Sequence, residues 1–123
     1  MANVINWFDI PAKNFDRACK FYGKVLGGEI HGIDVPMGLK MGCLPGTQPD
    51  TVGGAVVSGP GYEPSDKGSL VYLNGGEDLS LPLGRVEAAG GKVVMPKTAI
   101  GKNGFMAQFI DSEGNRVALH SMA

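Results

Sequence analysis

Between Asn3 and Ile10 the chain (NVINWFDI) alternates and is rich in β-branched and aromatic residues, which predicts a strand. One face carries Ile5, Trp7 and Asp9, the other Val4, Asn6, Phe8 and Ile10. The period then changes. Phe15, Ala18, Cys19, Tyr22, Val25 and Leu26 recur at helical spacing, with Asn14 placed to cap the helix and Gly27 to stop it. From Glu29 to Val57 the text is strand-like again: EIHGIDV, then GLKMGCL with Leu39, Met41 and Cys43 on one face, then TVGGAVV. Residues 58–69 (SGPGYEPSDKGS) are polar and proline-bearing, as a linker would be. SLVYLN reads as a strand. Asp78 can cap a second helix carrying Leu79, Leu83, Val86 and Ala89 on one face, with Pro82 in its first turn and Gly90-Gly91 at its end. KVVMP, GFMAQFI and NRVALHS are three further strands, the last two joined by a tight turn over 111–115.

Each half therefore reads strand, helix, strand, strand, strand, and the halves coincide at an offset of 63 residues. Gly27-Gly28 falls on Gly90-Gly91, Ile30 on Val93, Ala55 on Ala118 and Val56 on Leu119. Such a period implies two small modules, about 1–58 and 69–123, sharing one site. A chain of 123 residues supplies one core, not two, so the expected unit is a single α+β domain over 1–123.

Composition narrows the function classes. Net charge is −1 with no basic run, which argues against nucleic acid and anionic membrane surfaces as partners. No stretch approaches eighteen apolar residues and the first residues lack a basic leader region, so the expected address is the cytoplasm. Cys19 and Cys43 fit reduced thiols. Gly53-Gly54 and Gly75-Gly76 stand in no phosphate-loop or dinucleotide context, and no G-x-S-x-G elbow is present.

The stretches DRACKFYGKVLGG (16–28), VEAAGGKVVMPKT (86–98) and FIDSEGNRVALHS (109–121) resemble the vicinal oxygen chelate superfamily of glyoxalase I, bleomycin-resistance proteins and extradiol dioxygenases. The resemblance implies tandem βαβββ modules whose curved mixed sheets form a cup, with helices on the outer face, and a homodimer. In metal-dependent members it implies one ligand, usually His or Glu, from the first and last strand of each module, and Lewis-acid chemistry at the metal. Carried onto this chain, those positions are Trp7, Ala55, Leu70 or Val71, and Ala118, none of which coordinates a divalent metal. No metal and no cofactor is expected.

Strand parity places Trp7 with Asp9, and Ala118 with Arg116 and His120, so these four polar and aromatic residues are the ligand-binding candidates. Each has a plainer reading: Trp7 as a plug where a metal would sit, Asp9 and Arg116 as a structural ion pair, His120 as a solvated terminal residue. The face of His31 is not fixed by parity. A replacement metal site from His31, His120 and Asp9 is a further alternative. Cys19 and Cys43 read as inert buried thiols, and Met37, Met41, Met95 and Met106 as core fillers or an adaptable lining. The function expected is metal-independent binding of a small organic molecule in the cup. The alternatives are a lyase, isomerase or dioxygenase using a displaced metal or an acid/base residue, and a plugged cup serving as an interaction module. Whether the chain is an enzyme stays open at this point.

Overall fold

The computed structural model describes residues 3–36 and 38–123. Its first helix, α1 (Phe15–Leu26), forms where both ends are chemically specified. The Asn14 side chain accepts the Arg17 N–H at 3.0 Å. Gly27 closes the helix in the left-handed region at φ 71°, its N–H bonded to the Gly23 carbonyl. Ala18, Phe21, Tyr22 and Val25 are its buried stripe.

Among the described residues eight strands make two four-stranded mixed sheets that do not close into a barrel. The first sheet contains β1 (Trp7–Pro11), β2 (His31–Ile33), β3 (Lys40–Cys43) and β4 (Gly53–Ser58), in the order β1-β4-β3-β2. The second contains β5 (Val71–Asn74), β6 (Lys92–Ala99), β7 (Phe105–Ile110) and β8 (Arg116–Ser121), in the order β5-β8-β7-β6. In each the first and last strands pair in parallel, Asp9 opposite Ala55 and Tyr72 opposite Ala118. The same offset of 63 thus carries one register onto the other.

Two predicted elements differ. The first strand begins at Trp7, not Asn3, because its only partner, β4, begins at Gly53 opposite Trp7. Residues 3–6 have no ladder to join, and Val4 is 99% exposed. The helix predicted after Asp78 is two single turns, α2 (Ser80–Leu83) and α3 (Val86–Ala89), broken at Gly84, a residue that costs about 1 kcal/mol in a helix interior. Asp78 still serves the first turn, accepting the Ser80 N–H at 2.9 Å. That bond, with the Lys97 ammonium at 3.0 Å, holds its carboxyl at about 2. Among the described residues no helix is long and apolar enough to cross a membrane.

One hydrophobic cluster takes side chains from both halves: Ile10, Phe21, Tyr22, Val25 and Val56 with Leu79, Val86, Phe109, Val117 and Leu119. The helices sit on this side of the sheets. A Cβ on Gly42, opposite Val56, would meet Phe15 and Cys19 of α1, and Phe21 of α1 stacks 5.8 Å from Phe109 in the other sheet. At Gly91 a Cβ would lie 2.6 Å from the Ile110 carbonyl and 2.7 Å from Phe21, so the modules close up only over glycine.

The predicted 111–115 turn fastens the halves. The buried Tyr22 hydroxyl donates to Asp111 Oδ2 at 2.6 Å, and burial pushes the phenol well up from its ordinary value. Asn115 Nδ2 donates to the Pro11 carbonyl at 2.7 Å. The Glu113 carboxylate, its side chain fully covered, accepts the Lys13 and Asn14 N–H groups at 2.9 and 2.7 Å and the Arg17 guanidinium at 2.7 Å. Burial pushes the Glu113 carboxyl upward, but the bonds from Arg17, Asn14 and Ser112 outweigh it and hold the group below its ordinary value.

A depressed folded-state value contributes stability above the unfolded pKa and loses it as pH falls through the folded one. Glu113→Ala is therefore expected to lower unfolding free energy by about 1.5–3 kcal/mol at neutral pH. The gap to the parent chain should shrink as pH drops below 4.5, the ordinary glutamate value, in urea titrations.

Candidate functional site

Strand register sorts the side chains of each sheet onto two faces. Phe8, Ile10 and Val56, and likewise Val71, Leu73, Val117 and Leu119, face the helices and the shared core. Among the described residues the opposite faces carry no α-helix. Ala55, Val57 and Ala118 lie there; all three are fully buried yet stand apart from the central cluster. Strand register sets each of the two alanines, itself covered, at the centre of a ring of neighbours, as the floor of a dish whose walls are those side chains.

Around Ala118 the walls are Arg116 and His120 along β8, Tyr72 on β5 and Gln108 on β7. Around Ala55 they are Gly53 and Val57 along β4, Asp9 on β1 and Cys43 on β3. His31 pairs directly with Cys43, which settles its face: it lies in the row His31, Cys43, Ala55, Asp9. Parity also decides the second first-strand position. Val71 packs against the core, so Leu70, not Val71, shares the side of Tyr72.

The four candidates divide between the two sheets, Trp7 and Asp9 on the first and Arg116 and His120 on the second. Trp7 is 40% exposed and its indole N–H donates to Asp9 Oδ1 at 2.9 Å. Arg116 Nη1 donates to Gln108 Oε1 at 3.1 Å. No hydrogen bond or ion pair among the described residues joins the two sets, which corrects the Asp9–Arg116 ion-pair reading. His120 is also not the solvated terminal residue of the plainer reading. It is half-buried, and its Nε2 lies 2.7 Å from the Asn103 carbonyl; because a carbonyl only accepts, Nε2 carries the proton. Tyr72, 50% exposed, donates only to the Met106 sulfur at 3.8 Å, a weak acceptor.

Tyr72 and Gln108 were not among the sequence candidates. The offset that pairs Ala55 with Ala118 also pairs Asp9 with Tyr72, and that signal would have found the tyrosine. Gln108 depends on the β7–β8 register, which no local pattern encodes. Cys19 packs against the core, where burial first and Asp16 second push its thiol up; Cys43 lies on the open face, half-buried. Met41, Met95 and Met106 share the open faces, and Met37 lies outside the described residues.

The positions that would hold a metal carry Trp7, Ala55, Leu70 and Ala118. Two fully buried methyl groups, a leucine and an indole offer no ligand atom, and the residues present do not fit the group. The replacement site does not assemble either. His120 is on the second sheet, while His31 and Asp9 sit on β2 and β1, with β3 and β4 between them. Among the described residues no group of three His, Cys, Asp or Glu is arranged to hold a metal ion.

The family model described as Glyoxalase/Bleomycin resistance protein/Dioxygenase superfamily matches residues 4–119. Solved structures share the fold at low identity. A glyoxalase/bleomycin resistance protein from Albidiferax ferrireducens superposes with a TM-score of 0.75 at 14% identity, over 98% of this chain and 100% of that one. Glyoxalase I from Leishmania major, described as trypanothione-dependent, gives 0.69 at 18% over 98% and 88%. Glyoxalase I from Zea mays gives 0.70 at 22% over 94% of this chain, which spans 45% of the maize protein's length. Among curated proteins no sequence match is found.

In the isolated chain the Trp7 indole is 40% exposed, on the face of β1 turned away from the core. Trp7→Ala is expected to change the unfolding free energy of the isolated chain by no more than about 0.5 kcal/mol in urea titrations; a loss of several kcal/mol would mark a plug.

Proposed function

The chain belongs to the Glyoxalase/Bleomycin resistance protein/Dioxygenase superfamily, and within it we propose that it binds a small organic molecule without a metal, in a cup completed by a second copy of itself. The observation that carries this reading is the pair of alanine-floored dishes. Each lies on a sheet face without a helix, and the helices of both modules lie on the other side in one shared core. Within one chain the two half-cups therefore point away from that core. A second chain related by a two-fold axis would set the Ala55 dish of one copy over the Ala118 dish of the other, giving two equivalent sites per dimer.

The lining suits a ligand rather than a plug. Ala55 and Ala118 put small side chains at the centre of each row, and half-exposed Trp7 and Tyr72 offer aromatic surface at low entropic cost. The polar groups are few and placed: Asp9 oriented by the Trp7 indole, Arg116 by Gln108, His120 by the Asn103 carbonyl.

Light scattering on the purified chain is expected to give twice the chain mass of 12.8 kDa. Elemental analysis of protein prepared without chelator should find metal far below one ion per chain. Near-stoichiometric, tightly held metal would instead hand the function to the lyase, isomerase or dioxygenase alternative. A monomer with no Trp7 fluorescence response to a metabolite library would remove the binding reading.

A further inference from the structure

We infer that the Ala118 dish selects an organic carboxylate, its charged end held by Arg116 and Gln108 and its body running toward Tyr72 and His120. The inference rests on the binding reading above and adds the chemical class of the ligand.

The walls of this dish are donors. Arg116 makes no ion pair among the described residues; its only protein partner here is the neutral Gln108, whose Oε1 accepts from Nη1 at 3.1 Å. That bond fixes the plane of the guanidinium and leaves the Gln108 amide N–H groups unclaimed beside it. A planar fork of N–H groups matches a carboxylate better than it matches a cation or a neutral amide. Tyr72 donates only to a thioether sulfur, so a stronger acceptor displaces that contact without loss. No Asp or Glu stands among the walls that this dish itself supplies. In the paired cup the facing dish brings Asp9 of the second copy, one oxygen of which already accepts from its own Trp7 indole, while Arg116 has no counter-charge on its own sheet face. The pseudo-equivalent dish differs at this point: Asp9 stands where Tyr72 stands here, and Cys43 where Gln108 does.

The far end has room for a body. Arg116 and His120 lie four residues apart on one strand, roughly 13 Å. Beyond the His120 end an open hollow of about 620 Å³ is lined by Tyr72, Asn74, His120 and Met122 among others, with no acidic side chain. A carboxylate joined by a short chain to an aromatic ring reaches from the Arg116 fork past Ala118 toward Tyr72 and His120.

Three probes of one shape separate the possibilities: 4-phenylbutyrate, its neutral amide 4-phenylbutanamide, and the cation 4-phenylbutylamine. Each is titrated into the full chain by ¹H–¹⁵N NMR, following the Arg116 Nε–H, the Gln108 side-chain amide and the Ala118 backbone N–H. The carboxylate is expected to saturate with shifts centred on these three groups, the amide at least ten-fold more weakly, and the amine not at all. Arg116→Gln should bring the carboxylate down to the level of the amide, and Arg116→Lys, which keeps the charge without the fork, should fall between. Spectra unchanged elsewhere certify the fold of both variants. Amide or amine binding at the dish as tightly as the carboxylate would overturn the ligand class while leaving a binding cup. Indifference of the dish to all three probes would overturn both.

Discussion

A phenol taken out of water needs an acceptor, and Tyr22 finds its acceptor in the other half of the chain. The Tyr22–Asp111 hydrogen bond, with the Asn115 bond to the Pro11 carbonyl, ties the first helix and first strand to the β7–β8 turn. Asp111 is held in turn by the Glu113 and Asn115 backbone N–H groups, so the residues that make the hairpin turn also dock the modules. Glu113 completes the arrangement by serving as an acceptor at the start of α1, where helix N–H groups lack helical partners. Because this clasp lies on the helix side of both sheets, it directs their other faces outward. The position of both dishes follows from it.

What could be read from the sequence was what is encoded locally. The first helix had a cap, a stop and an unbroken stripe, and its observed bounds follow those signals. The strands had their period, and period two gave the correct faces for Trp7, Asp9, Arg116 and His120. The repeat went further, since the offset of 63 reproduces the parallel pairing of first and last strands in both sheets.

Most of the failures share one cause, dependence on partners far away in the chain; the second helix, broken by its own glycine, is the local exception. The first strand begins at Trp7 because β4 begins at Gly53, a fact about residue 53 that the alternation at Asn3 cannot contain. The second helix breaks at Gly84, where the stripe of apolar residues continues but the backbone does not. Asp9 and Arg116 were complementary charges on equivalent faces, yet they belong to different sheets. Tyr72 was within reach of the repeat, while Gln108 joined the candidate lining only through cross-strand register. His31 gained its face in the same way, through Cys43.

The shared core has a consequence for how the molecule comes apart. Internal repeats often behave as semi-independent units that open one at a time. Here Phe21 of the first module packs on Phe109 of the second, and Asp111 of the second receives the hydroxyl of Tyr22 from the first. Opening either module strips the other of part of its interior and leaves a buried polar group without its partner. A chain with the sequence of a duplicate is therefore expected to open as one unit, the loss of either half exposing the interior of the other.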